Sequence, residues 1–458
     1  MRPTPNPTAA LALAAMALMS ALMVAPPAAV AGGAAPSMAT ADATPDADAG
    51  LRLTAWSGQG RLGAQARPAN RAGLLAAANA QAPGLAPPER DAMTAELLLR
   101  GGGRAGPATL QLEALAWRRS DAGGATHSGL RAHTLALSWD ADAWQASAGK
   151  KVVAWDIGFG FRPNDMVQQE ARRTLDEPLP EGRPLLQLEH FDADTAWSAV
   201  WVNPQTLRRS LLDGADPADP ARLAGGADES ALAARVYHHA GAWDWHGFAR
   251  AGRHTGASLG AAVVWVAGEA LSLHASARWL QRHEAWAGPG EGDPLAHANP
   301  WQRRLRGATT QALLGLQWTS RARQSLLLEA WHDGRAPSDA DWRRWAARNT
   351  VLQDSATATP ARLRAANLAW QATPWRGASL RRDNLFARAA WQTEAWTLAA
   401  DVLWHPADRG RALTASLQWQ GERWRVNAAW RRHGGPGEAL LRQLPARRQA
   451  ALWATWAF

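Results

Sequence analysis

Trp391-Gln-Thr-Glu-Ala-Trp396-Thr-Leu-Ala-Ala-Asp-Val-Leu-Trp404 is the stretch on which the fold turns. Two tryptophans bracket four polar or small residues, and beyond the second tryptophan the chain alternates. Trp396, Leu398, Ala400, Val402 and Trp404 fall on one face of a strand. Thr397, Ala399, Asp401 and Leu403 fall on the other, because successive strand side chains point to opposite sides. Trp396 and Trp404 are thus separated by about 26 Å on the apolar face, at roughly 3.3 Å per residue. Allowing for strand tilt, that is close to the height of a lipid-facing band with an aromatic girdle at each rim. Strands of soluble sandwiches commonly stop after about five or six residues.

The bracket recurs in Trp139-Asp-Ala-Asp-Ala-Trp144 and in Trp419-Gln-Gly-Glu-Arg-Trp424. Each reads as a hairpin whose turn sits in water while its tryptophans occupy the headgroup layer. Thr109 to Trp117 alternates in the same way, as does Ala270 to Leu280. Short turns are expected near Asp140, Asp192, Ala240, Gly268, Ser320, Thr393 and Gly421. Longer Gly/Pro/Asp/Arg-rich connections are expected at residues 58–91, 152–184, 203–230, 281–306, 334–381 and 433–446. Short and long connections alternate almost throughout, as turns and loops do on the two sides of a membrane barrel. The pattern predicts an all-β, antiparallel, up-and-down transmembrane β-barrel of about 18 strands (range 16–20) over residues 51–458. Within 334–381, residues 340–349 read as a short helix, and Leu363 to Trp370 as an extra strand or a piece of loop.

Composition agrees. The 458 residues include 27 Trp but one Tyr, and no Cys, which suits passage through an oxidising compartment. Residues 1–31 read as a secretory signal peptide: Arg2, an apolar run from Ala9 to Val24, and the small-x-small site Ala29-Val30-Ala31. Residues 32–50 read as a flexible lead-in. No later segment offers the roughly 20 consecutive apolar residues of a membrane helix. The net charge is +9, but the arginines are dispersed among acids, without a basic helix or a base-stacking motif. Nucleic acid is therefore not an expected partner; a lipopolysaccharide surface or an anion path is.

The chain ends in Trp456-Ala-Phe458, with Ala450, Leu452, Ala454 and Trp456 on one face, and Gln449 and Thr455 on the other. This resembles the terminal strand of bacterial outer-membrane β-barrels, where a final aromatic residue, here Phe458, serves as an assembly signal. Gly149-Lys-Lys-Val-Val-Ala-Trp-Asp156, leading to Gly158-Phe-Gly-Phe-Arg162, resembles a segment of porin-like and export-type barrels. The resemblance covers residues 51–458 and specifies a class rather than a subfamily. It implies an outer-membrane location and, as candidate partners, the lipid bilayer, lipopolysaccharide, the barrel-assembly machinery and further copies of the chain. The function it implies is passive passage of small polar or anionic solutes. Two other readings are a non-conducting barrel serving envelope assembly or secretion with a protein partner, and a barrel-type lipid hydrolase.

Motifs that would carry chemistry are weak. Gly58-Gln-Gly60-Arg-Leu-Gly63 matches a dinucleotide fingerprint but lacks the βαβ context and the later acid. His238-His239 with Asp244 and His246 suggests a metal, yet adjacent strand residues face opposite ways. His127-Ser128-Gly129 resembles a hydrolase site only superficially. No catalytic residue, cofactor or metal is expected. The candidate pore constriction comprises Lys150, Lys151, Asp156, Arg162, Asp165, Glu170, Arg172 and Arg173, on a connection that folds inward or else lies outside against lipopolysaccharide. By strand parity Glu113, His274, Arg278, Arg388, Asp401 and Arg425 are candidate lumen-facing residues. Trp139, Trp144, Trp391, Trp396, Trp404, Trp419, Trp424 and Trp456 are the candidate girdle.

Overall fold

The computed structural model describes residues 52–53, 56–86, 90–168, 175, 181–203, 229–288, 295–354 and 360–458. The expected signal peptide and lead-in lie outside them. In chain order the barrel strands are β1 Ser57–Ala66, β2 Ala92–Ala105, β3 Ala108–Asp121, β4 Thr126–Ala141, β5 Trp144–Lys151 and β6 Arg183–Phe191. There follow β7 Thr195–Val202, β8 Ala231–Ala240, β9 Trp243–Gly252, β10 Gly256–Val266, β11 Leu271–Leu280 and β12 Thr309–Thr319. The last six are β13 Gln324–Asp333, β14 Asp383–Gln392, β15 Trp396–His405, β16 Gly410–Gln420, β17 Trp424–Gly434 and β18 Arg448–Ala457. A short piece, Arg52–Leu53, precedes β1 and pairs with the same strand, β2.

Every strand pairs antiparallel with its sequence neighbours, and β18 returns to β1 from Gln59↔Ala457 to Ala66↔Ala450. The result is a closed 18-stranded barrel. Closure matters physically because it leaves no unpaired sheet edge to face hydrocarbon. The odd residues of β18 (Ala451, Trp453, Thr455) are buried inside, while Leu452 and Trp456 are exposed outside. Trp453 has Arg61 above its ring.

The start of β1 and the end of β18 lie at one rim, here the terminal rim, with the seven expected short turns and an eighth at Gly106-Pro107 that the sequence reading missed. The long connections 67–91, 152–182, 203–230, 281–308, 334–382 and 435–447 emerge at the opposite, loop rim. Three connections there are short, however: 122–125, 253–255 and 406–409. Two further expectations need correction. Residues 58–66 are strand, not connection, because they form the closing ladder with β18. Leu363 to Trp370 is neither strand nor irregular loop but part of helix Ala361–Trp370.

At the loop rim the connections build a core of their own. Helices α1 (Leu74–Gln81), α2 (Asp339–Gln353), α3 (Ala361–Trp370) and α4 (Leu440–Gln443) pack together through Leu74, Trp342, Trp345, Leu352, Leu368 and Leu440. The buried positions 342, 345, 349 and 352 of α2 follow the helical period. Trp342 and Trp345 donate their indole N–H groups to Leu380 O (2.8 Å) and Gln371 O (2.9 Å). This cap meets the barrel's inner wall at Ala412 and Leu403.

Candidate functional site

The connection after β5 turns into the barrel. Val153, Trp155, Ile157, Met166 and Val167 pack on inner-wall residues such as Leu185, Val200 and Phe248. That apolar footing explains why the segment breaks strict alternation: it covers wall instead of crossing lipid. Its polar atoms are then held by the consecutive inward residues of β11. The Asp156 carboxylate accepts from Ser276 Oγ (2.8 Å) and from the backbone N–H groups of Ile157 (2.9 Å) and Asn164 (2.5 Å). Arg278 donates to Pro163 O (3.1 Å) and Ser258 Oγ (3.0 Å). Asn164 donates to Ser276 Oγ (2.9 Å) and to the carbonyls of Ala261 and Ala277.

The tip of the segment is fixed by Glu329, on the inner face of β13. Its carboxylate accepts the N–H groups of Phe159 and Gly160, each at 2.7 Å, and lies 3.1 Å from His274 Nε2. The side chain of Glu329 is fully buried. His274 reaches Glu329 across an intervening strand, at the point where that strand carries Gly315. A β-carbon at Gly315 would stand 2.2 Å from His274 Nε2, so any larger residue would displace the imidazole. Burial pushes the Asp156 carboxyl above the ordinary aspartate range; its three hydrogen bonds and the charge of Arg162 pull the other way without prevailing.

Lys150 is buried and its ammonium meets Glu181, which also pairs with Arg131 at 3.5 Å. Lys151 ends β5 and is half-buried. Arg162 donates to Gly158 O (2.8 Å), and Asp165 is buried beside it. Glu170, Arg172 and Arg173 lie outside the described residues. Glu113 pairs with Arg100 (2.9 Å) and Arg388 with Asp401 (3.5 Å), both across neighbouring strands. Arg425 shares the inner face with its ladder partner Thr455. His274 and Arg278, read from parity alone, prove to be two of the groups that hold the inward segment.

Sequence reasoning missed Glu329. It is the only acid in Gln324-Ser-Leu-Leu-Leu-Glu-Ala-Trp-His between the turn and Asp333, so its parity was a usable signal. Also missed was a cluster of rings beside the tip: Phe161 stacks on Trp331 (5.7 Å) and Phe159 on Phe386 (6.0 Å), with Arg388 over Phe159. Between this cluster and the helical cap lies a cavity of about 630 Å³. Seven arginines and four carboxylates line it, so its walls carry more positive than negative groups.

Of the candidate girdle tryptophans, Trp139, Trp144, Trp391, Trp396, Trp404 and Trp456 are each more than a third exposed on the outer surface. Trp419 and Trp424 are half-buried, the latter against Trp456. Trp197, Trp243, Trp265 and Trp318 also stand exposed at the terminal rim and were not picked out, because no second tryptophan brackets their turns at the same spacing. Gly58, Gly60 and Gly63 sit in β1, so the dinucleotide reading fails for want of a loop and a helix at those residues. Among the described residues no group of three His, Cys, Asp or Glu side chains is placed to hold a metal. His239 instead meets Asp244 at 2.8 Å.

No protein-family model matches the sequence, and no curated protein matches it either. Solved structures do match. OccAB1 of Acinetobacter baumannii superposes with a TM-score of 0.54 at 9% identity, over 88% of this chain and 96% of that one. OccK11 (OpdR) of Pseudomonas aeruginosa gives 0.51 at 11% identity, over 89% and 96%. Both are outer-membrane porins. At such identities the likeness establishes the fold: the chain is an outer-membrane-type β-barrel with porin architecture.

Proposed function

We propose that the protein is an outer-membrane channel for passive passage of small polar solutes, with a preference for anions. The observation that supports this best is the inward segment 152–168, pinned to the wall by Glu329 and Asp156 beside a charged cavity. A wide barrel leaves an aqueous lumen unless something fills it. Here one connection narrows the lumen from one side while charged and aromatic side chains remain along the cavity. Facing acids and bases at a constriction select permeants by charge, without chemistry. The excess of arginine over carboxylate in the lining supports the anion preference, although several of these arginines are paired, as Arg335 is with Asp333 (2.9 Å).

Phosphate-bearing outer lipids, the barrel-assembly machinery and other copies of the chain are the partners this reading calls for. Purified protein in planar bilayers tests it. Discrete conductance steps, with a reversal potential displaced toward that of the anion in a salt gradient, are expected. A silent protein ends the channel reading and leaves the assembly or secretion role as the alternative.

A further inference from the structure

At the loop rim, three neighbouring strands present arginines on the outer, membrane-facing side. Arg432 of β17 stands directly opposite Arg448 of β18. Arg411 of β16 lies diagonal to Arg432, whose own partner on that strand is Leu413. All three are exposed. Their parity is fixed by their neighbours. Arg431, the next residue, points inward and donates to the buried Thr414 Oγ1 (2.9 Å), while Trp430, two residues from Arg432, is exposed outside. Among the described residues none of the three arginines has an acidic partner. Like charges directly opposite on adjacent strands destabilise a ladder. A cluster of this kind is therefore a place where an external anion lowers the energy.

Height identifies the anion. Arg432 lies eight residues along β17 from Trp424, whose ring contacts Trp456 at the terminal rim. That is about 26 Å along the strand, one lipid-facing band away. The guanidiniums thus sit at the headgroup level of the leaflet on the loop side. Immediately below them the wall supplies a seat for an acyl chain. Trp430 is flanked in the ladder by Ala415 and Ala450, and Ala450 by Ala66, so one exposed indole stands among small residues. The next row holds Leu417, Ala428, Leu452 and Ala64. Arginine is suited to such a ligand because its planar fork bonds phosphate bidentately.

We propose that Arg411, Arg432 and Arg448 form a binding site for the phosphate of a glycolipid headgroup in the outer leaflet, whose acyl chain lies against Trp430. The site rests on the outer-membrane reading but not on conduction. Native mass spectrometry of the full chain in detergent tests it, with bisphosphorylated lipid A, the same lipid A after dephosphorylation, and inorganic phosphate as competitor. The wild type is expected to retain the phosphorylated lipid at least about tenfold better than the dephosphorylated one, and R432Q/R448Q to lose that preference. These side chains are exposed, and heat-dependent gel migration verifies that the variant folds. Equal retention of the two lipids, or an unchanged preference in R432Q/R448Q, overturns the proposal. Complete displacement by millimolar inorganic phosphate overturns the lipid assignment in favour of a simple anion site. Conductance of the same samples separates the two readings, since silent protein with the lipid preference intact removes only the channel.

Discussion

The ring of Phe458, the last residue, covers Gly58, the second residue of the first barrel strand. Gly58 N–H donates to Phe458 O (2.9 Å) and Phe458 N–H to Gly58 O (3.0 Å), so the two ends of the barrel wall are also one hydrogen-bonded pair. A β-carbon on Gly58 would stand 2.2 Å from the ring, and on the inner face Gly63 leaves the same kind of space for Trp453. The seam is thus a glycine strand covered by aromatic residues from its partner, an arrangement known to pin strand register.

Gly58→Leu is accordingly expected to reduce the yield of closed barrel several-fold, because the phenyl ring is also held by Trp456 at 4.9 Å. Gly60→Ala, where a β-carbon meets nothing within 4 Å, serves as the control. The fraction migrating as the compact, heat-modifiable form reads the outcome, and equal yields for the two variants would sink the idea.

Glu329→Ala removes the acceptor of two consecutive N–H groups. Each buried donor left unpaired costs about 1–3 kcal/mol. The tip Phe159-Gly160 is then expected to leave the wall, and pore current to become larger or noisier. Gly315→Ala should reproduce part of the effect by pushing His274 away from the carboxylate. Single-channel records for both variants that match the wild type would show that this carboxylate does not set the pore.

The architecture was readable in the sequence because lipid imposes a two-residue period and puts tryptophan at the interface. Both signals are local. His274 and Arg278 could be placed inside for the same reason. What parity could not supply was which inward groups meet one another. Glu329, Phe159 and His274 come together only because three non-adjacent segments converge in the lumen. The seam glycines misled in the opposite sense: Gly-rich residues 58–66 read as the start of a connection, whereas they form a strand shaped by Phe458 and Trp453. The helical cap was half legible. Helix α2 shows its period, whereas Leu363 to Trp370 has too mixed a pattern to separate strand from helix without the partners it packs on.

Helix α2 begins with a complete capping box: Ser338 Oγ accepts from Asp341 N–H (3.2 Å), and the Asp341 carboxylate accepts from Ser338 N–H (2.8 Å). Ser338→Ala is expected to destabilise the cap by about 0.5–2 kcal/mol and to leave the barrel intact. Faster proteolysis within 339–353 of an otherwise folded, heat-modifiable protein would show this. Unchanged cleavage would mean that packing of Trp342 and Trp345 alone holds the helix.

The two loop carboxylates Asp156 and Asp341 are shifted in opposite directions, so acid should act oppositely on the segments they hold. Burial raises Asp156 above the ordinary aspartate value of 3.8. A raised group gives stability that is full below 3.8 and is lost as pH rises through the higher folded value. Burial also opposes ionisation of Asp341, but hydrogen bonds from Ser338 and the charge of Arg344 outweigh it and lower the group below 3.8. Its contribution is present above 3.8 and fades as pH falls through the lowered value. Acidification from neutral pH should therefore first tighten residues 152–168 on the wall and only later loosen α2. Hydrogen–deuterium exchange, corrected for intrinsic rates, measures both segments in one experiment. Protection of 152–168 is expected to rise as pH falls toward about 4, and Asp156→Asn should flatten that dependence. If the asparagine variant kept the wild-type pH profile, the inward segment would be responding to a different group, and the tightening assigned to Asp156 would have to be abandoned.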